Sequence, residues 1–161
     1  MLLFGVFFPF AFSNKLRFSK PQICTNCASV VQNADGKYIV LKGILDDKAL
    51  AFGTFDDTLN STGWGVLDLV GQDIEGTTVD QAFWAVGLLE GFLTGERISQ
   101  NAKTMNKFWN FSAEKNETIS KFFDDQLIWA REQVADPENK KDPYWTNVGY
   151  VINQVTNFIH V

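Results

Sequence analysis

The two cysteines of this sequence, Cys24 and Cys27, are separated by two residues and are candidates for chemistry near its N-terminus. A C-x-x-C pair acts as a redox couple in some proteins, but such pairs accompany a strand-helix-strand pattern, which does not surround this one. The pair is otherwise structural, either as a local disulfide or as two idle thiols at the head of a strand. Because no second pair of cysteines exists, the sequence argues against a structural zinc site.

A further possibility is that Cys24 is a catalytic nucleophile. Cys24 and Thr25 stand close to the start of a predicted strand that leads into an Asp-Gly hairpin turn, and this opening resembles the choloylglycine-hydrolase type of N-terminal-nucleophile amidase. The resemblance implies a processed chain that begins with the cysteine, whose own α-amine serves as the base. Because signal cleavage near Ser13 would leave Cys24 internal, a second cut after Ile23 would be needed.

Glu90 is the second candidate catalytic residue. It lies within an apolar, glycine-containing run over residues 86–93, where burial of a carboxylate without a partner is costly. A buried carboxylate of this kind is a candidate for a functional site, and the alternative is that it pairs with a lysine or an arginine at the sheet edge. Trp64, between two glycines, is interpreted as a core anchor or as the wall of a pocket.

The sequence lacks the residues that most other kinds of catalytic site or metal site require. His160 is the only histidine and is the penultimate residue, so a Ser-His-Asp triad would depend on it alone. A metal site needs clustered histidine, cysteine or carboxylate ligands, and neither a nucleophile elbow nor a phosphate-binding loop occurs. The sequence therefore predicts no metal site and no cofactor.

The composition predicts one globular domain with an acidic balance. The chain has 161 residues, of which 45% are apolar, and its 19 acidic residues against 14 lysines and arginines give a formal net charge of -5. A nucleic-acid-binding protein needs a basic stripe, and binding to an anionic membrane needs a basic cluster. The charge balance argues against both, so no nucleic-acid partner is predicted.

The first 13 residues form an uncharged, apolar run. The run is shorter than the roughly 20 residues of a membrane span and predicts a secretory signal peptide that is cleaved near Ser13; the alternative is a buried N-terminal strand. Three N-x-S/T sequons, at Asn60, Asn110 and Asn116, support a secretory route and predict N-glycosylation.

The part of the chain that precedes residue 70 has the short segments of an antiparallel sheet. Strands are predicted over residues 28–32, 37–45, 49–55 and 64–69. Asp35 and Gly36 supply the tight turn between the first two strands. The succession of strands predicts an antiparallel meander.

The rest of the chain has helical periodicity. Thr78 and Gln81 form a capping-box pattern at the start of a helix that extends to Arg97. This helix is apolar on both sides and carries glycines every four residues, at positions 87, 91 and 95, which predicts close packing. Two amphipathic helices follow, over residues 113–135 and from residue 143 to the C-terminus. Strands followed by three helices predict an α+β fold with the helices on one face of the sheet.

Four blocks of this sequence resemble the phospholipase B-like family. They are AFGTF at 51–55, NSTGWGVL at 60–67, GLLEGFLT at 87–94 and WTNVGYV at 145–151. The resemblance implies part of an αββα N-terminal-nucleophile hydrolase, made as a glycosylated, secreted or lysosomal precursor with a signal peptide. Self-cleavage is expected to yield a second chain that begins with the nucleophilic cysteine and removes fatty acyl chains from phospholipids.

The resemblance covers only the N-terminal part of the family, and nothing here matches its cleavage-site cysteine. We therefore expect a signal peptide at 1–13, a linker or N-terminal extension at 14–26, and the N-terminal part of a phospholipase B-like domain at 27–161. The predicted partners are the C-terminal chain of the same precursor, or an equivalent polypeptide, and a phospholipid substrate. The chain alone is expected to be inactive. The alternatives are a stand-alone, secreted, non-catalytic binding protein and the amidase with Cys24 as nucleophile.

Overall fold

The structure is a computed structural model that describes residues 20–109 and 113–158. Within these residues a four-stranded antiparallel sheet precedes three long helices, which confirms the predicted α+β fold. The strands are β1 (Gln22–Gln32), β2 (Tyr38–Leu45), β3 (Ala51–Asp57) and β4 (Gly65–Gly71). The helices are α1 (Leu59–Thr62), α2 (Val79–Trp109), α3 (Ala113–Ala135) and α4 (Pro143–Phe158), with a 3-10 turn at Asn139–Lys141.

The strand order is β2-β1-β3-β4, so the sheet differs from the predicted meander in one pairing. β3 pairs with β1 instead of β2, and Val30 lies opposite both Val40 and Ala51. The cause is the connection after β2, which is held to β1. The Ser29 hydroxyl donates to the Ile44 carbonyl at 2.8 Å and accepts from the Asp46 amide at 2.9 Å. The chain therefore crosses to the free edge of β1 before β3 begins.

The hydrophobic core lies between the sheet and α2. Ala28, Val30 and Ala51 from the sheet meet Ala85 and Leu89 from α2, and all five are fully buried. On its other side α2 packs against α4, and α3 packs against α4 in turn. The predicted burial of this helix on both sides is thus confirmed for its first half. The helix also extends twelve residues beyond the predicted end, and residues 98–108 are exposed.

The start of α2 and its contact with α4 follow the predicted local rules. The Thr78 amide donates to the Gln81 side chain at 2.8 Å and the Gln81 amide donates to the Thr78 hydroxyl at 3.2 Å, which confirms the capping box. Gly87 faces the backbone of Gln154 on α4, so a glycine is needed at that crossing. Gly95 has open space around it, and the predicted stripe of close packing therefore ends before that residue.

Several predictions concern residues outside the described part of the chain. The signal peptide at 1–13, the sequon at Asn110 and His160 fall there. β1 begins at Gln22, inside the segment predicted as a linker or extension, because its first residues pair with the end of β2. Among the described helices, none combines the length and the apolar character that a membrane crossing requires.

Candidate functional site

The segment between β3 and β4 forms a rigid loop that presents Trp64. One helical turn, α1, is capped by Gly63, which has a left-handed φ of 79°. The Gly63 amide donates a hydrogen bond to the Leu59 carbonyl. The Thr58 hydroxyl donates to the Trp64 carbonyl at 2.7 Å. The Trp64 amide donates to the Thr62 hydroxyl at 3.2 Å. These bonds fix the backbone on both sides of the indole.

Trp64 is 74% exposed, so the prediction that it anchors the core is wrong. The neighbouring Gly65 does allow close packing, but the ring that packs against it is that of Phe55. A Cβ on Gly65 would lie 2.9 Å from the Phe55 ring. Val66, two residues after Trp64, is 61% exposed.

An ion pair joins the end of β3 to α2 beside this loop. Arg97 Nε donates to Asp57 Oδ2 at 2.7 Å, and both side chains are partly exposed. The hydrogen bond from Arg97, aided by its charge, lowers the pKa of the Asp57 carboxyl, although desolvation opposes this shift. Gln100 accepts a further bond from Arg97 Nη1 at 2.9 Å. The ion pair thereby connects the segment between the blocks at 51–55 and 60–67 to α2, the helix that carries Glu90.

Without this ion pair, the free energy of unfolding is expected to fall less steeply as the pH is lowered into the acidic range, which is the acid limb of its pH dependence. A carboxyl whose pKa is lowered by folding stabilises the folded state above its unfolded pKa of about 4. That stability is lost as the pH falls through the lower, folded pKa. Asp57→Asn and Arg97→Gln should each remove this component. Urea denaturation between pH 6 and acidic pH measures it, and an unchanged acid limb in both variants would contradict the account.

The Glu90 side chain, on α2, is hydrogen-bonded to a side-chain amide of α4. Gln154 Nε2 donates to Glu90 Oε2 at 2.8 Å, and Gln154 is buried in the contact between the two helices. The predicted lysine or arginine partner is thus replaced by a neutral hydrogen-bond donor. Such a bond satisfies a half-buried carboxylate without a second charge. The structure does not test a catalytic role for Glu90.

Cys24 and Cys27 form a disulfide. A groove of about 180 Å³ lies beside it and is lined by Cys24, Thr25, Asn26, Thr54, Phe55 and Asp56. Glu90 is not part of this groove, so the two candidate catalytic residues do not share it. A thiolate is the nucleophilic form of cysteine, and the disulfide therefore masks Cys24. Its role as a nucleophile in a reduced and processed chain remains a prediction.

The two sequon asparagines within the described residues are accessible. Asn60 lies on α1 and Asn116 on α3, and both are exposed. Their glycosylation remains a prediction. Among the described residues there is no cluster of three or more histidine, cysteine, aspartate or glutamate side chains that fits a metal ion.

Comparison with known proteins agrees with the blocks that this loop and α2 carry. The sequence model of the family described as Phospholipase B matches residues 51–161. Phospholipase-B 81 of Drysdalia coronoides is 32% identical over 120 residues, which are 74% of this chain and 21% of that protein. Phospholipase B of Crotalus adamanteus has the same identity and coverage.

Similarity extends to mammals. Phospholipase B-like 1 of Rattus norvegicus is 32% identical over 128 residues, which are 75% of this chain and 22% of that protein. The chain thus spans about a fifth of the length of these relatives. Because the family model covers more than half of the chain, the resemblance of the four blocks is confirmed, and the chain belongs to the phospholipase B family.

Proposed function

We propose that this chain is the N-terminal part of a secreted or lysosomal hydrolase that, when complete, removes fatty acyl chains from phospholipids. The supporting observation is the family match over residues 51–161, together with relatives that are named phospholipase B. In the proposed reaction a cysteine thiolate attacks the acyl carbonyl, the ester bond breaks, and the deacylated phospholipid leaves as an alcohol with a proton. Water then hydrolyses the thioester of the acyl-enzyme, which releases the fatty acid and restores the thiol. The remaining polypeptide supplies that cysteine.

The second face of the sheet supports this proposal. Strand alternation places Val31, Ile39, Val66 and Val70 on the face opposite the core residues that meet α2, together with Phe52, which is already buried. A sheet with one apolar face against helices and a second apolar face is suited to a further packed layer. Ile39 and Val66 are exposed within the described residues. We infer that the C-terminal polypeptide covers this face with its own sheet.

In this account the chain contributes a scaffold and a docking face. The sheet and α2 form one half of the sandwich, and the rigid loop with Trp64 projects at the start of β4. The exposed sequons at Asn60 and Asn116 are consistent with a glycosylated precursor in a secretory compartment. No nucleophile is assigned within the chain.

The chain alone is expected to be poorly soluble and to be rescued by co-expression with the C-terminal polypeptide, because the exposed apolar side chains of this face would otherwise meet water. A double variant, Ile39→Thr with Val66→Thr, should raise the solubility of the chain alone and weaken its association with that polypeptide. Val155→Thr on α4, where the side chain is also about half exposed, is the matched control and should do neither. Sedimentation and co-purification measure the two effects.

Two outcomes would count against the proposal. One is a wild-type chain that on its own stays a soluble monomer at high concentration as well as in dilute solution, which would favour the stand-alone binding protein. The other is a double variant that associates as tightly as the wild type, since the second face of the sheet would then not be the docking face.

A further inference from the structure

The disulfide closes an irregular excursion of β1. Ile23 pairs with Ile44 and Ala28 pairs with Lys42, so four residues of β1, from Cys24 to Cys27, lie opposite the single residue Gly43 of β2. Gly43 has a φ of 75°, and a Cβ there would lie 3.3 Å from the Cys24 carbonyl oxygen. The excursion is therefore a special β-bulge with more than one extra residue, and the disulfide joins its first residue to its last.

The two cysteines of this disulfide differ in exposure. Cys27 is 2% exposed and pairs with Thr54 of β3. Cys24 is only partly buried and borders the open groove described above. An incoming thiolate must approach the sulfur that it attacks. Attack is therefore possible at Cys24, and Cys27 is the leaving group.

One charged side chain, the carboxylate of Asp56, lines the groove beside Cys24. Asp56, at the exposed end of β3, lines it together with Thr54 and Phe55. The local field therefore attracts a thiol that carries a cationic group and repels one that carries an anionic group. Within an open, hydrated groove this difference is on the order of threefold to tenfold in rate.

We propose that the Cys24–Cys27 disulfide is a thiol-exchange site for small cationic thiols, and that it latches residues 20–23 to the sheet. A thiolate forms a bond to Cys24 Sγ, the bond between the two cysteine sulfurs breaks, and Cys27 leaves as a thiolate that takes up a proton. A second thiol then attacks the mixed disulfide. The added thiols are oxidised to a disulfide, and both cysteines are reduced to thiols.

Reduction is expected to release the segment before the bulge while the core of β1 stays in place. The segment contacts the sheet through the pairs of Gln22 and Ile23 with the end of β2, and Ile23 is 93% exposed. Ala28 and Val30 are fully buried against α2 and are held by partners on both sides. Without the cross-link, the conformational entropy lost on closing the bulge must be offset by the few contacts of residues 20–23. The amide protection of these residues should therefore fall by about tenfold.

The test compares cysteamine with 2-mercaptoethanesulfonate at equal thiolate concentration on this chain, folded and in dilute solution. Alkylation and peptide mass spectrometry locate the adduct, and hydrogen exchange follows residues 20–32 before and after reduction. We expect the first adduct on Cys24, a rate three to ten times higher for cysteamine, and loss of protection confined to the segment before the bulge. Asp56→Asn should abolish the rate difference, while Asp35→Asn in the hairpin turn should leave it unchanged.

Several results would overturn the proposal. They are reduction that requires denaturant, a first adduct on Cys27, equal rates for the two thiols in the wild type, and unchanged protection of residues 20–23 after reduction. Because the wild-type chain alone supplies these readouts, the result does not depend on whether a variant folds.

Discussion

Replacement of Gly87 by alanine is expected to destabilise the fold by about 3 kcal/mol, since overpacking typically costs 1–3 kcal/mol and more where backbone is the obstacle. The added Cβ would overlap the Gln154 carbonyl oxygen and lie 2.9 Å from the Gln154 Cα. A backbone segment of a neighbouring helix cannot move aside as the end of a side chain can. The higher helix propensity of alanine, worth roughly 1 kcal/mol, offsets only part of the loss.

Gly95→Ala is the matched control for this prediction. It makes the same substitution on the same helix, but no atom lies within 4 Å of the new Cβ. This variant should be more stable than the wild type by about 0.5–1 kcal/mol. Urea denaturation of dilute protein, followed by tryptophan fluorescence, measures both. Equal effects of the two substitutions would mean that α2 and α4 do not cross at Gly87.

Truncation of Leu89 is the second large effect, and Leu89→Ala is expected to cost about 3–4 kcal/mol. Leu89 is 0% exposed and is the largest fully buried side chain among the described residues. It lies in one cluster with Val30 of the sheet and Ala85 of α2, so the truncation would leave a cavity between the sheet and the helix. The free energy of unfolding from urea denaturation gives the magnitude.

Leu127→Ala on α3 is the control with the same chemical change. Its side chain is 37% exposed, so much of the lost apolar surface already meets water and the expected loss is below about 1 kcal/mol. A loss of less than 1 kcal/mol for Leu89→Ala would place the core of the protein elsewhere. Similar losses for both leucines would lead to the same conclusion.

Local patterns predicted the helices well because their signals lie within each segment. α3 runs over the predicted residues, and α4 begins at the predicted Pro143. The capping box fixed the start of α2, but its second half continues beyond Arg97 although residues 98–108 are exposed. The apolar pattern that marks a buried face ends where burial ends, while the backbone hydrogen bonds continue.

The strand order could not be read from the same patterns. Alternation identifies strands but does not say which edge of β1 receives β3. That choice depends on Ser29, whose hydroxyl bonds both the end of β2 and the turn after it. A buried serine within an apolar strand was the available signal, and its partners lie at least fifteen residues away in the chain.

The site shows the same division between local and distant determinants. The loop around Trp64 was noticed for its glycines, yet the place expected for the indole is occupied by Phe55 from the preceding strand. Glu90 was noticed as a carboxylate in an apolar run, but its partner Gln154 lies 64 positions away. Gln154 interrupts the apolar residues of α4, and such a polar residue on an apolar face is a signal for a buried hydrogen bond.

The proposed function is tested most directly by native purification of the protein with an antibody against α3. Co-purifying polypeptides are identified by N-terminal sequencing, and the preparation is assayed for release of fatty acid from phosphatidylcholine. We predict a second polypeptide that begins with cysteine, and fatty-acid release that requires both chains. A chain that purifies alone as a soluble monomer and releases no fatty acid would contradict the proposed function.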